Sequence, residues 1–110
     1  MTHNGRRIRI AYKSLPDWMA AIHGVTIEDR EEYFVLINTG RPPLIQRHAL
    51  GHELAHIYLD HFDKVPAWED VPRDDGGQQI LTARNRDIER EANRHAWEYY
   101  RAYRDGALPA

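Results

Sequence analysis

Between residues 7 and 12 the chain reads Arg7-Ile8-Arg9-Ile10-Ala11-Tyr12, alternating polar and apolar for most of its length. That period of two is the pattern of a strand with one buried face. After a Pro16-Asp17 turn signal, Trp18-Met19-Ala20-Ala21-Ile22 suits either a helical turn or a loop, and Gly24-Val25-Thr26-Ile27 reads as a strand through its β-branched residues. A charged connection then leads to Tyr33-Phe34-Val35-Leu36-Ile37-Asn38, the strongest strand pattern in the chain. Together these predict a small three-stranded, mostly antiparallel sheet that contains a hairpin.

The rhythm changes after Thr39-Gly40-Arg41-Pro42-Pro43, which ends the last strand. Residues 44–59 contain no proline and favour helix. At about 100° per residue, Leu50, Leu54, Ile57 and Tyr58 fall on one side while Ala49, Ala55 and Leu59 fall toward the other. A helix apolar on two sides is a buried one, so this is the expected centre of the fold. Residues 61–77 hold Pro66, Pro72, two acidic pairs and Gly76-Gly77, and read as a long loop of the kind that tends to carry function. A second helix is expected from about residue 80 or 85 to 104, with Ile88, Ala92, His95, Ala96, Tyr99 and Tyr103 on one face and most of its arginines outside it. The predicted class is α+β, a sheet packed on a central helix and a long C-terminal helix, in a single domain spanning 1–110.

Composition narrows the chemistry. The chain has 110 residues, 15 basic against 17 acidic, with seven histidines and no cysteine. Without thiols there is no disulfide, no thiolate metal knot and no cysteine nucleophile, so any metal must sit on nitrogen and oxygen ligands. The balanced charge offers no field that selects nucleic acid or an anionic membrane as partner. The longest apolar runs, 18–22 and 33–37, fall far short of the roughly 20 residues that cross a bilayer. The arginine-rich start lacks the apolar stretch of a secretory leader, so a cytoplasmic protein is expected.

The histidines are not spread evenly. His52-Glu53-Leu54-Ala55-His56, inside the buried helix, matches H-E-x-x-H, which a random chain of this composition shows roughly 0.03 times. Histidines at i and i+4 stand on one face, where their nitrogens can converge on one ion about 2.0–2.1 Å away. Glu53, turned about 100° from His52, is placed to act on a water rather than to join the ligands. Zinc lowers the pKa of its water toward about 7, which makes Glu53 the expected general base for attack on a polarised carbonyl.

A catalytic zinc takes a third protein ligand, and the second helix offers Glu89 and Glu91. Glu89 lies about 60° from the centre of the apolar face and Glu91 about 100° away on the other side, which favours Glu89 and leaves Glu91 as the alternative. Asn93, four residues after Glu89, is placed to orient a ligand histidine through its amide. Small Ala92 and Ala96 allow the two helices to approach closely.

The segment Gln46-Arg47-His48-Ala49-Leu50-Gly51-His52-Glu53-Leu54-Ala55-His56-Ile57, followed by Ile88-Glu89-Arg90-Glu91-Ala92-Asn93-Arg94-His95-Ala96, resembles the ImmA/IrrE family of small gluzincin-type metallopeptidases. That family pairs an H-E-L-x-H helix with a later E-x-x-A-N-x-F-A helix. The resemblance covers about residues 33–96, and His95 stands where the family pattern has phenylalanine. It implies one Zn2+ per chain on His52, His56 and Glu89, with Glu53 as catalytic base. It also implies a protein or peptide substrate, in this family often a helix-turn-helix repressor. A second reading keeps the metal but not turnover, as a zinc-stabilised binding protein. In such peptidases an extended substrate can pair with a sheet edge, for which strand 33–38 is the candidate.

The remaining histidines have smaller expected parts. His48 lies one turn before His52 but about 12 Å along the axis from His56, too far for both to bind one ion. His61 is expected either to border the cleft, where it can hydrogen-bond an oxyanion or a ligand carboxylate, or to be a histidine at the helix C-terminus favoured by the dipole. The tyrosines at 99, 100 and 103 are expected to pack, and Trp68 is the loop residue best suited to touch a substrate.

Overall fold

Three strands fall where the alternating and β-branched segments predict them. In the computed structural model, which describes residues 1–63 and 83–109, they are β2 (Arg6–Lys13), β3 (Gly24–Glu28) and β4 (Glu32–Asn38). A fourth, β1 (Thr2–His3), precedes them and pairs antiparallel with β2. Between them Asn4 and Gly5 have φ of 53° and 75°, the left-handed conformations that close a tight hairpin and that asparagine and glycine adopt most readily. The ambiguous segment after Pro16 forms one short 3-10 turn, Asp17–Met19.

The sheet runs β1-β2-β4-β3. β3 and β4 form the expected hairpin, while β2 lies parallel to β4 over seven residue pairs, from Arg7 against Glu32 to Lys13 against Asn38. Strand 33–38 is therefore interior, and its candidacy as the sheet edge is corrected: β3 is one edge of the sheet and β1 the other. The reason lies in burial, since β4 alternates Tyr33, Val35 and Ile37, all buried, with half-buried Phe34 and Leu36. Strands on both sides and α1 packed over the Tyr33, Val35 and Ile37 face keep so little of it in water.

β4 ends at Asn38, whose buried side chain donates from Nδ2 to the Ile22 carbonyl (2.8 Å) and accepts from the Gly40 amide (2.9 Å). That Asx turn sends the chain through Pro42 into α1 (Pro43–Tyr58), with proline at the helix start, where its missing N–H costs nothing. α1 is buried from Ala49 to Tyr58 apart from His52, as its two-sided apolar pattern predicts. A 3-10 turn, His61–Asp63, follows, and α2 (Ala83–Arg104) packs across α1. The rest of the expected loop, with Trp68, lies outside the described residues.

The core joins Ile8, Tyr33, Val35 and Ile37 of the sheet to Leu50, Leu54, Ile57 and Tyr58 of α1, with Tyr99, Tyr100 and Tyr103 of α2 packed against them. Tyr99 stacks on Tyr58 at 5.7 Å between ring centroids, so these tyrosines pack as expected. The helices come close together at Gly51. A Cβ there would lie 1.8 Å from the carbonyl oxygen of Ala96, and Ala92 and Ala96 are fully buried. Small residues on both helices thus bring α2 near enough for its polar side chains to reach α1.

Candidate metal centre

One helical turn separates His52 from His56, and their Nε2 atoms come within 3.0 Å of each other. α2 brings Glu89 to the same point, Oε2 at 2.9 Å from His52 Nε2 and Oε1 at 3.2 Å from His56 Nε2. Ligands of a tetrahedral zinc at 2.0–2.1 Å stand about 3.3 Å from one another, so the three side chains are spaced to fit one ion. Among the described residues His52, His56 and Glu89 are the only group of this kind.

The hydrogen on His52 is fixed by α2. Oδ1 of Asn93, which can only accept, lies 2.7 Å from Nδ1 of His52, placing the hydrogen on Nδ1 and turning the Nε2 lone pair toward Glu89. Lone pairs and a carboxylate that face one another in a half-buried pocket repel unless a cation or a proton lies between them. In the metal-free chain the facing carboxylate favours a proton on His52. Burial opposes charge on His52, but the hydrogen bond to Glu89 and the charges of Glu53 and Glu89 outweigh it, so its pKa is raised. Burial likewise opposes charge on Glu89, and the two imidazoles outweigh it, holding the carboxyl well below its usual range. The donor set therefore fits a divalent cation.

Glu53 is buried and points to the sheet side of α1, where the Thr26 hydroxyl of the edge strand β3 donates to its Oε2 at 2.6 Å. Nothing in the spacing of residues announces this contact. Thr26 pairs with Val35 in the hairpin and so lies on the same face of the sheet, a relation visible only once the register is known.

Glu91, the alternative third ligand, does not reach that group. Two residues along a helix are about 160° apart in projection, and Glu91 instead pairs with His61, Oε1 to Nε2 at 2.6 Å. His61, expected at the cleft border or at the helix C-terminus, lies against His56. It is 1% exposed, with its Nδ1 2.9 Å from Nδ1 of His56. Asp60, with φ of 58°, turns the chain back beneath α1 to put it there. The Asp60 carboxylate is in turn held by His3 and Asn4 of the N-terminal hairpin, each at 2.8 Å. His48 stays apart, packing edge-on against Trp97 at 5.4 Å, and burial lowers its pKa.

Two imidazoles and a carboxylate around one point, beside the buried glutamate of an H-E-x-x-H helix, form the arrangement of a metallopeptidase centre on an α+β scaffold. The family model of the IrrE N-terminal-like domain, a peptidase family (Peptidase_M78), matches residues 4–100, and the chain belongs to that family. No curated protein and no solved structure gives a significant match. No helix among the described residues is long and apolar enough to cross a membrane.

Proposed function

We propose that the chain is a zinc-dependent endopeptidase in which His52, His56 and Glu89 hold one zinc and Glu53 is the general base. The observation that carries this reading is the convergence of those three side chains beside Glu53, itself held by Thr26. Zinc bound there supplies a Lewis acid that polarises the peptide carbonyl and acidifies water. Glu53, one oxygen fixed by Thr26, uses the other to take the proton of the attacking water and return it to the leaving amine. β3 supplies an open strand edge on the Glu53 side of α1, on which an extended peptide can pair backbone to backbone. Asn93 holds His52 in register.

The proposed substrate is a protein, with a helix-turn-helix repressor as the first to try, and the proposed compartment is the cytoplasm, where such repressors work. Incubation of the zinc-loaded chain with that repressor and with an unstructured protein such as casein is expected to produce discrete fragments. Glu53→Gln should keep zinc and lose at least about 100-fold in rate. Equal cleavage by both proteins overturns the general-base assignment. Zinc binding without any turnover favours the binding-protein reading instead.

A further inference from the structure

We propose that His61 and Glu91 form a positioning relay that sets the tautomer and orientation of His56, doing for one proposed zinc ligand what Asn93 does for the other. The inference rests on the metal-centre reading and deepens it.

The relay follows from the donors and acceptors along the chain His56, His61, Glu91. The Glu91 carboxylate only accepts, and its Oε1 lies 2.6 Å from Nε2 of His61, so Nε2 carries the hydrogen. A neutral His61 then has a bare Nδ1. That atom faces Nδ1 of His56 at 2.9 Å, so His56 must donate there. His56 is left with its lone pair on Nε2, the atom that faces His52 and Glu89. Reversing one hydrogen would leave two N–H groups or two lone pairs opposed inside the protein, at a place where His61 is 1% exposed and no water can relieve them.

The arrangement gives α2 three tasks in five residues. Glu89 reaches the ion site directly and Asn93 orients His52. Glu91, on the far flank of the helix, meets His61, which in turn meets His56. A buried histidine with both ring nitrogens engaged, one by a helix it does not belong to, is more than a packing residue.

The test is zinc affinity of the full chain, measured by competition with a chromophoric chelator, beside melting of the metal-free proteins. His61→Ala and Glu91→Ala are each expected to weaken zinc about 10- to 100-fold. The double variant should be no weaker than His61→Ala, because both act through one chain of hydrogen bonds. Glu91→Gln, which keeps an acceptor oxygen for His61, should restore most of the affinity. In 15N spectra of the imidazoles, His56 of the native chain should carry its hydrogen on Nδ1, and His61→Ala should lose that signature. The Glu91 side chain is 40% exposed, so its variants keep the test open if His61→Ala does not fold. Native-chain binding with unaffected or additively weakened variants overturns the relay alone. A native chain that binds no zinc overturns the metal-centre reading and the relay with it.

Discussion

The two helices hold the site in unlike surroundings. α1 is dry: from Ala49 to Tyr58 only His52 is more than marginally accessible, and its side chain is still only 18% exposed. α2 is wet, with Ala92 and Ala96 fully buried while Arg86, Arg90, Arg94, Arg101 and Arg104 face solvent. Imidazoles in a dry helix cost free energy unless polar groups reach them, and every group that does so from a distance in sequence comes from the wet one. Glu89 and Asn93 each meet His52 at 2.9 Å or less, and Glu91 meets His61, which in turn meets His56. The candidate centre is thus a property of the crossing between the helices, which neither helix holds alone.

The crossing itself is the place to break that arrangement. Gly51→Ala puts a methyl group 1.8 Å from a backbone carbonyl that no rotamer change can move, so α2 must shift. We expect a loss of about 3 kcal/mol in urea unfolding, with weaker zinc binding alongside. Unchanged stability would mean that α2 slides freely over α1 and that the ligand group does not depend on this contact. Next in size is removal of the wet helix's own ligand. Glu89→Ala should weaken zinc by more than about 100-fold, beyond the effect of any orienting residue. A smaller loss than that of Glu91→Ala would exchange the roles of the two glutamates.

The same contrast explains what was legible in the sequence. H-E-x-x-H is a local pattern, so the dry helix, its two histidines and Glu53 could be placed from spacing alone. The Glu89 and Asn93 positions followed from the wheel of a single amphipathic helix and a family resemblance. Relations that span elements were not legible. The parallel pairing of β2 with β4 leaves no trace in the alternation of β2, so the pattern of 33–38 does not tell an edge strand from the interior strand it is. Thr26 reached Glu53 only through the hairpin register. His61 broke the helical period at a left-handed Asp60, a conformation that aspartate tolerates but does not announce.

Thr26 offers a sharper cut, because it touches the dry helix from the sheet side and should affect the base but not the ligands. Thr26→Val removes the hydroxyl and keeps the shape. We expect kcat to fall about tenfold with KM and zinc affinity unchanged, the size of one hydrogen bond to a charged group. Thr26→Ser should recover most of the rate. Equal loss in both variants would point to packing of the β-branched side chain rather than to the hydrogen bond.

The smallest expected effect is in the pH dependence of the metal-free protein. His52 has its pKa raised above the ordinary 6.5, so its contribution to stability is full below that value and is lost as pH rises through the folded pKa. Glu89 is depressed below 4.5, so its contribution is present above that value and is lost as pH falls toward the folded pKa. The pair should therefore stabilise the metal-free chain most between about pH 4.5 and 6.5. Because the Glu89 side chain is 46% exposed, water and salt screen the attraction, and the difference in Tm from Glu89→Gln across pH 6 to 8 should be a few degrees at most. Zinc reverses the slope, since it displaces the same proton and binds more tightly as pH rises. Parallel Tm curves for the native chain and Glu89→Gln at low salt would show that wet helix and dry helix are not coupled by charge, leaving the Gly51 crossing and the neutral hydrogen bonds to hold them together.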